Sequence, residues 1–117
     1  MADKATLPVL PLAGHHHILL AVSGGSDSTA LLQLAAWQRQ TLANPPQITA
    51  VTVDHRLRSG STAEARAVET MCAALGIRHM ILAWEGDKPT SGIQDAARNA
   101  RRSLIAAAAV RIGADIV

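Results

Sequence analysis

Apolar positions fall into short unbroken runs that alternate with longer stretches of helical period. Ile18-Leu19-Leu20-Ala21-Val22 is too short for a helix and is bounded by a Gly-Gly turn, so it predicts a strand buried on both faces. A helix is expected from Ser28 to Gln40, with Leu31, Leu34 and Ala35 on one side, Leu32 and Ala36 beside them, and Asn44-Pro45-Pro46 closing the segment. The run Ile48 to Val53 is rich in β-branched residues and predicts a second strand ending at Asp54-His55. Ser61-Thr62-Ala63-Glu64 has the spacing of a capping box, which predicts a helix start. Val68, Met71, Cys72 and Leu75 then repeat at i, i+3, i+4, i+7, and Gly76 ends the stripe. His79 to Leu82 predicts a third strand. Ser91-Gly92-Ile93-Gln94 repeats the capping-box spacing, and Ile93, Ala97, Ala100, Leu104, Ala107 and Ala108 predict a long apolar helix face running to Gly113. Ile116-Val117 reads as the opening of a fourth strand, and residues 1–17, with Pro8, Pro11 and Gly14, as an irregular lead-in.

The resulting order, β-α-β-α-β-α-β, implies an α/β fold: a parallel sheet with helices on both faces. Ligands of such sheets lie beyond the carboxyl ends of the strands, near a reversal of strand order. The residues just after the first two strands are therefore where chemistry is expected.

Composition narrows this picture. With 49% hydrophobic and 17% charged residues among 117, the chain is a packed unit and not a disordered tail. Trp37 and Trp84 are the only members of the Phe, Tyr and Trp class, so the core must be aliphatic, and recognition by rows of aromatic platforms is disfavoured. A net charge of +2 is too small to establish nucleic-acid binding, although nine of the eleven cations are Arg, suited to bidentate phosphate contacts. The lone Cys72 excludes an intrachain disulfide or a CxxC site, fits a reducing, cytoplasmic setting, and on its stripe reads as a small core residue. No apolar run approaches the roughly 20 residues of a membrane span, so no membrane partner is expected. His15-His16-His17 read as ordinary residues before a strand, since successive strand residues point to opposite faces and cannot all address one ion.

The first strand leads into Ser23-Gly24-Gly25-Ser26-Asp27-Ser28 and then a helix. Adjacent glycines permit positive φ and close approach of a ligand to the backbone, and the N–H groups of a first helical turn carry partial positive charge. Together these make a phosphate cradle. Ser23, Ser26 and Ser28 add hydroxyls, and the most economical role for Asp27 is to hold Mg²⁺ shared with the phosphates. There is no Lys for a Walker A loop and no G-x-G-x-x-G for a dinucleotide fold. After the second strand, Val53-Asp54-His55-Arg56-Leu57-Arg58 sets a carboxylate, an imidazole and two guanidiniums on the same edge; Asp54 could accept from a ribose or adenine, and the arginines could neutralise phosphate. Arg98, Arg101 and Arg102 share one helix face, expected opposite much of the alanine stripe.

Ser-Gly-Gly-x-Asp-Ser resembles the pyrophosphate-binding loop of the ATP pyrophosphatases, or PP-loop enzymes. The V-D-H-x-L-R string and the helix Gly92-Ile93-Gln94-Asp95-Ala96-Ala97-Arg98-Asn99-Ala100-Arg101 narrow the resemblance to the tRNA(Ile)-lysidine synthases, with Arg56 where Gly is usual and Arg102 where Tyr is usual. The resemblance implies a Rossmann-like, adenine nucleotide alpha hydrolase-like PP-loop fold. It also implies an ATP- and Mg²⁺-dependent ligase: position 2 of the wobble cytidine of tRNA(Ile) with a CAU anticodon is adenylated, and the side-chain amine of L-lysine displaces AMP. On this basis Ser23, Gly24, Gly25, Ser26, Asp27, Ser28, Asp54 and His55 bind ATP, Asp27 holds the metal, and Asp27, Arg98 and Arg101 are catalytic. Residues 18–117 are then expected to be the N-terminal part of a larger catalytic domain, inactive alone; homo-oligomerisation is left open. The alternatives are another PP-loop enzyme, of tRNA-thiolation, GMP synthetase or NAD synthetase type, or a non-catalytic adenine-nucleotide-binding module.

Overall fold

Unbroken aliphatic runs are stable only where both faces of a strand are covered, and the computed structural model places them so. It describes residues 10, 12–23, 25–56, 60–85 and 88–115, with Ser26 by its backbone. Strands β1 (His17–Ala21), β2 (Gln47–Asp54) and β3 (Arg78–Ala83) pair in parallel in the order β1-β2-β3. Helices α1 (Ser26–Arg39), α2 (Ser61–Leu75) and α3 (Ile93–Ile112) alternate with them. The expected elements are present with ends moved by one or two residues, as the ladder and the first helical turns extend past the apolar runs. Ile116 and Val117 lie outside the described residues, as do residues 1–9 and 11 of the lead-in. Among the described strands the order does not reverse, so the site is located by the carboxyl edge alone.

The alternation of side chains along each strand divides the core in two. Ile18, Leu20, Ile48 and Ala50 face Leu32, Ala35 and Ala36 of α1 and Val68 and Cys72 of α2. Leu19 and Val51 face Ile105, Ala108 and Ala109 of α3 on the other side. Helices on both faces are thus observed, and Cys72 is a fully buried core residue whose thiol is pushed upward in pKa by burial. Two His–Thr pairs stitch neighbouring strands: His17 Nε2 lies 2.8 Å from Thr49 Oγ1, and His79 Nε2 lies 2.9 Å from Thr52 Oγ1.

Three expectations are corrected. Leu31 is exposed, because the sheet meets α1 along Leu32, Ala35 and Ala36. The buried stripe of α3 is rotated, with Ile105, Ala108 and Ala109 buried and Ala107 exposed; at a helix of mostly Ala and Arg, methyl-sized residues do not specify which side is covered. Neither capping box forms. The N-caps are Gly60 and Gly92, without side-chain capping bonds, and Ser61 directs its hydroxyl to Asp54 instead. The predicted helix stops do hold: Gly76 and Gly113 adopt left-handed φ of 69° and 72°, a conformation that costs a side-chain-bearing residue about 1 kcal/mol or more.

The end of α3 returns to the start of the sheet. The Asp115 carboxylate accepts the N–H groups of His16 (3.0 Å) and His17 (3.2 Å), and its own N–H donates to His17 O (2.9 Å). His16 O bonds Gln47 of β2, so His17 O points to the opposite edge of β1. His15 lies 3.6 Å from the same carboxylate. Among the described residues no group of three His, Cys, Asp or Glu side chains could hold a metal. The triplet is a strand entry clasped by a carboxylate, as ordinary residues before a strand would be.

Candidate functional site

The turn after β1 is built by short polar side chains that bond backwards. Ser23 Oγ donates to Ser28 Oγ at 3.0 Å and accepts the Gly25 N–H at 3.3 Å, while Thr29 Oγ1 donates to Gly25 O at 3.0 Å. These contacts hold the first turn of α1 with its N–H groups at the carboxyl edge of the sheet. Gly25 has φ −73°, not the positive value expected of the glycine pair, so its conformation is open to any residue. A Cβ there would meet Ser23 Oγ at 3.5 Å, an ordinary contact. Gly25 is also one of the residues that line the pocket. Gly24 and the Ser26 side chain lie outside the described residues. Asp27 is an exposed carboxylate in the first turn of α1 and is not part of the pocket wall.

At the end of β2, Asp54 is 3% exposed and accepts Ser61 Oγ (2.7 Å), Thr62 Oγ1 (2.7 Å) and the Arg56 N–H (3.1 Å), with Arg56 Nε at 3.9 Å. Burial raises its pKa, but the two hydroxyls, the Arg56 amide and the guanidinium together outweigh burial and hold it below the usual carboxylate value. Its carboxylate therefore ties the first turn of α2 to the strand and sits behind the pocket wall, to which its neighbours Val53 and His55 contribute. Arg56, placed where the resemblance expects Gly, has φ 56° and reaches Glu85 at 3.2 Å. Leu57 and Arg58 lie outside the described residues.

Helix α3 supplies the opposite wall. Gln94, Ala97, Arg98 and Arg101 recur at i, i+3, i+4, i+7 and line the pocket, whereas Arg102 is exposed and does not. This is the same stripe that buries Ile105 and Ala108 further on, so the two arginines are not opposite the buried face, as the sequence reading has it; they continue it. Where the stripe runs past the end of the sheet it meets open space, and there long cationic side chains replace alanine. Arg98 is braced at 3.5 Å by Asp95 one turn back.

The walls enclose about 630 Å³, open on one side and lined by Ser23 and Gly25 after β1, Thr52, Val53 and His55 at the end of β2, Ser61, Glu64 and Ala65 of α2, Trp84 after β3, and the α3 stripe. Of the expected site residues, Ser23, Gly25, His55, Arg98 and Arg101 come together here. Trp84 was missed by the sequence reading; the available signal was one of two tryptophans standing just past the carboxyl end of a strand. Amide and hydroxyl donors at one end and two guanidiniums across from them suit a ligand carrying phosphate groups. Mg²⁺ usually takes one or two protein carboxylates together with phosphate oxygens, and Asp27, exposed in the first turn of α1, has that donor chemistry.

The profile of the PP-loop domain family matches residues 2–117. Among curated proteins, the tRNA(Ile)-lysidine synthase of Rhodopseudomonas palustris is 54% identical over 100 residues, covering 86% of this chain and 29% of that protein. Those of a Bradyrhizobium species and of Brucella anthropi are 50% and 51% identical over 99% and 82% of this chain. The chain spans 32% and 21% of the length of these two relatives. Among solved structures, the U34-tRNA thiolase NcsA of Methanococcus maripaludis superposes with a TM-score of 0.77 at 17% identity over 90% of this chain and 38% of that one, a likeness of fold.

Proposed function

The chain belongs to the PP-loop domain family, a membership that implies use of ATP, and from that premise we propose that it is the ATP-binding part of a tRNA(Ile)-lysidine synthase. ATP is cleaved between its α- and β-phosphates, AMP passes to the carbonyl oxygen of the wobble cytidine of tRNA(Ile), and the side-chain amine of L-lysine displaces it. The step is chemically economical, since a carbonyl oxygen leaves poorly and AMP leaves well. The observation that carries the reading is the meeting, in one pocket, of the Ser23–Gly25 turn with Arg98 and Arg101.

In this reading the start of α1 grips the departing pyrophosphate, and the Gly25 N–H and the hydroxyls of Ser23 and Ser28, which bond one another within the turn, exchange those bonds for phosphate oxygens. Arg98 and Arg101 face the phosphates from α3 and stabilise charge as it develops. His55 and the end of β2 border the nucleoside, and Asp54 acts at one remove by fixing α2 and the strand end. Asp27 would hold Mg²⁺, which when bound neutralises phosphate charge.

No helix among the described residues is long and apolar enough to cross a membrane, consistent with a cytoplasmic partner such as tRNA. The test is release of AMP and pyrophosphate from ATP in the presence of tRNA(Ile), with and without lysine. Lysine-dependent AMP release by the full-length protein is the expected result. Turnover indifferent to lysine would assign the chain to a sister PP-loop activity, and ATP binding without turnover to a nucleotide-binding module. The 117 residues alone are expected to bind ATP without forming lysidine.

A further inference from the structure

We propose that Trp84 is a stacking platform for a nucleobase at the β3 end of the pocket; the proposal deepens the nucleotide reading above and rests on it. The chain has two tryptophans and no Phe or Tyr, and neither ring belongs to the two core clusters, which are aliphatic. Trp37 is 39% exposed on α1, away from the pocket. Trp84 is half-buried and lines it. An indole that packs no core and borders a polar pocket is placed for contact with something else.

The backbone that carries the ring is tied down before any ligand arrives. The Trp84 backbone N–H donates to Asp54 O at 2.9 Å, prolonging the β2–β3 ladder, and its backbone carbonyl accepts Lys88 Nζ at 2.9 Å. The same ammonium stands 4.9 Å from the ring centroid, within cation–π range. Trp84 borders the pocket and Lys88 is not among the residues that line it. A residue whose backbone is already anchored loses less freedom when a flat group settles on its ring.

Elsewhere the wall offers amides, hydroxyls, guanidiniums, the Glu64 carboxylate, the smaller His55 imidazole and short aliphatic groups; among the described lining residues Trp84 carries the largest π surface. Two strand spacings, about 10 Å, separate the phosphate cradle after β1 from the residue after β3, which leaves room for a ribose between phosphate and base. Stacking tolerates any base. The adenine of ATP and the pyrimidine of the acceptor share the required chemistry, a flat heteroaromatic ring.

In these 117 residues carrying Trp37→Phe, Trp84 is the sole indole and reports its own contact. Adenosine, cytidine and inorganic tripolyphosphate are titrated separately while its fluorescence is followed, and affinities are checked by equilibrium dialysis. Saturable quenching by a nucleoside is expected, with adenosine or cytidine identifying whose base the ring holds. Trp84→Ala should weaken that nucleoside about five- to a hundredfold, from the usual worth of one base–aromatic stack, while Trp84→Phe keeps most of the affinity and tripolyphosphate binds all variants alike. No quenching by either nucleoside, or equal nucleoside affinity in Trp84→Ala, overturns the proposal. Loss of tripolyphosphate binding with the nucleoside response intact would remove the phosphate reading of the turn and leave the platform standing.

Discussion

At the scale of single residues, the two positions flagged most readily by type do different work from what type alone suggests. Asp54 stands at the carboxyl edge of the sheet, yet its carboxylate is spent on Ser61, Thr62 and the Arg56 amide. Its lowered pKa means that the folded state holds the charged form more tightly than the unfolded chain does. That stabilisation is complete above the unfolded value of about 3.9 and is lost as pH falls through the lower folded value. Asp54→Asn should therefore be less stable at pH 7 by about 1–3 kcal/mol, and urea titrations should show the gap to the parent narrowing below about pH 4. A gap independent of pH would mean that the charge plays no part. Gly25 is the converse case, ordinary in φ and uncrowded at Cβ. Gly25→Ala is expected to leave stability within about 0.5 kcal/mol while lowering affinity for tripolyphosphate by about tenfold or more, as the methyl group takes ligand space; calorimetry reads both. Only the positions of these residues could be read from sequence. The direction of a carboxylate is set by which hydroxyls the next helix brings to it.

Among the elements, α3 carries the clearest division between what pattern shows and what packing decides. Its length, its stop at Gly113 and its arginines are legible, because a left-handed stop and a run of good helix formers are local properties. Its facing is not, because Ala97, Ala100, Ala107 and Ala108 offer nearly equal methyl groups to the sheet. The structure resolves the choice by turning Gln94, Arg98 and Arg101 to the pocket and Arg102 to solvent. Arg98→Ala should accordingly cut adenylate formation by about a hundredfold, the scale of losing one preorganised charge-stabilising donor. It should change stability by less than about 1 kcal/mol, since its pair with Asp95 is exposed. Arg102→Ala should leave both unchanged. Adenylate formation followed by pyrophosphate release and circular dichroism on the three proteins distinguish these outcomes, and parallel loss of helicity and activity in Arg98→Ala would remove its catalytic role. The failed capping boxes teach the same lesson at helix starts: the S-x-x-E spacing marks where α2 begins, but Gly60 takes the N-cap position, and Ser61, now inside the helix, donates its hydroxyl to the buried Asp54 carboxylate.

Over the whole molecule, the carboxyl edge of a three-stranded parallel sheet collects segments far apart in the chain, and the opposite edge is secured by Asp115, 98 residues from His17. The His16 and His17 amides and partial burial act in opposite senses on Asp115, the amides prevailing, so that its pKa is lowered. Asp115→Ala should speed hydrogen exchange at the His16 and His17 amides and at the last turn of α3 with little effect at β2; unchanged exchange at both histidines would show the clasp to be dispensable. Sequence by itself determined the alternation of strands and helices, the parallel sheet, the Ser-Gly-rich turn after β1 and the family, because periods of apolar residues, left-handed glycines and a short motif are encoded in neighbouring positions. Tertiary structure alone decided that Asp54 ties α2 rather than lining the pocket, that Arg98 and Arg101 continue the buried stripe of α3, and that Trp84 stands at the pocket's far end. Each of these depends on which distant group arrives opposite a side chain, and that is settled only when the helices dock on the two faces of the sheet.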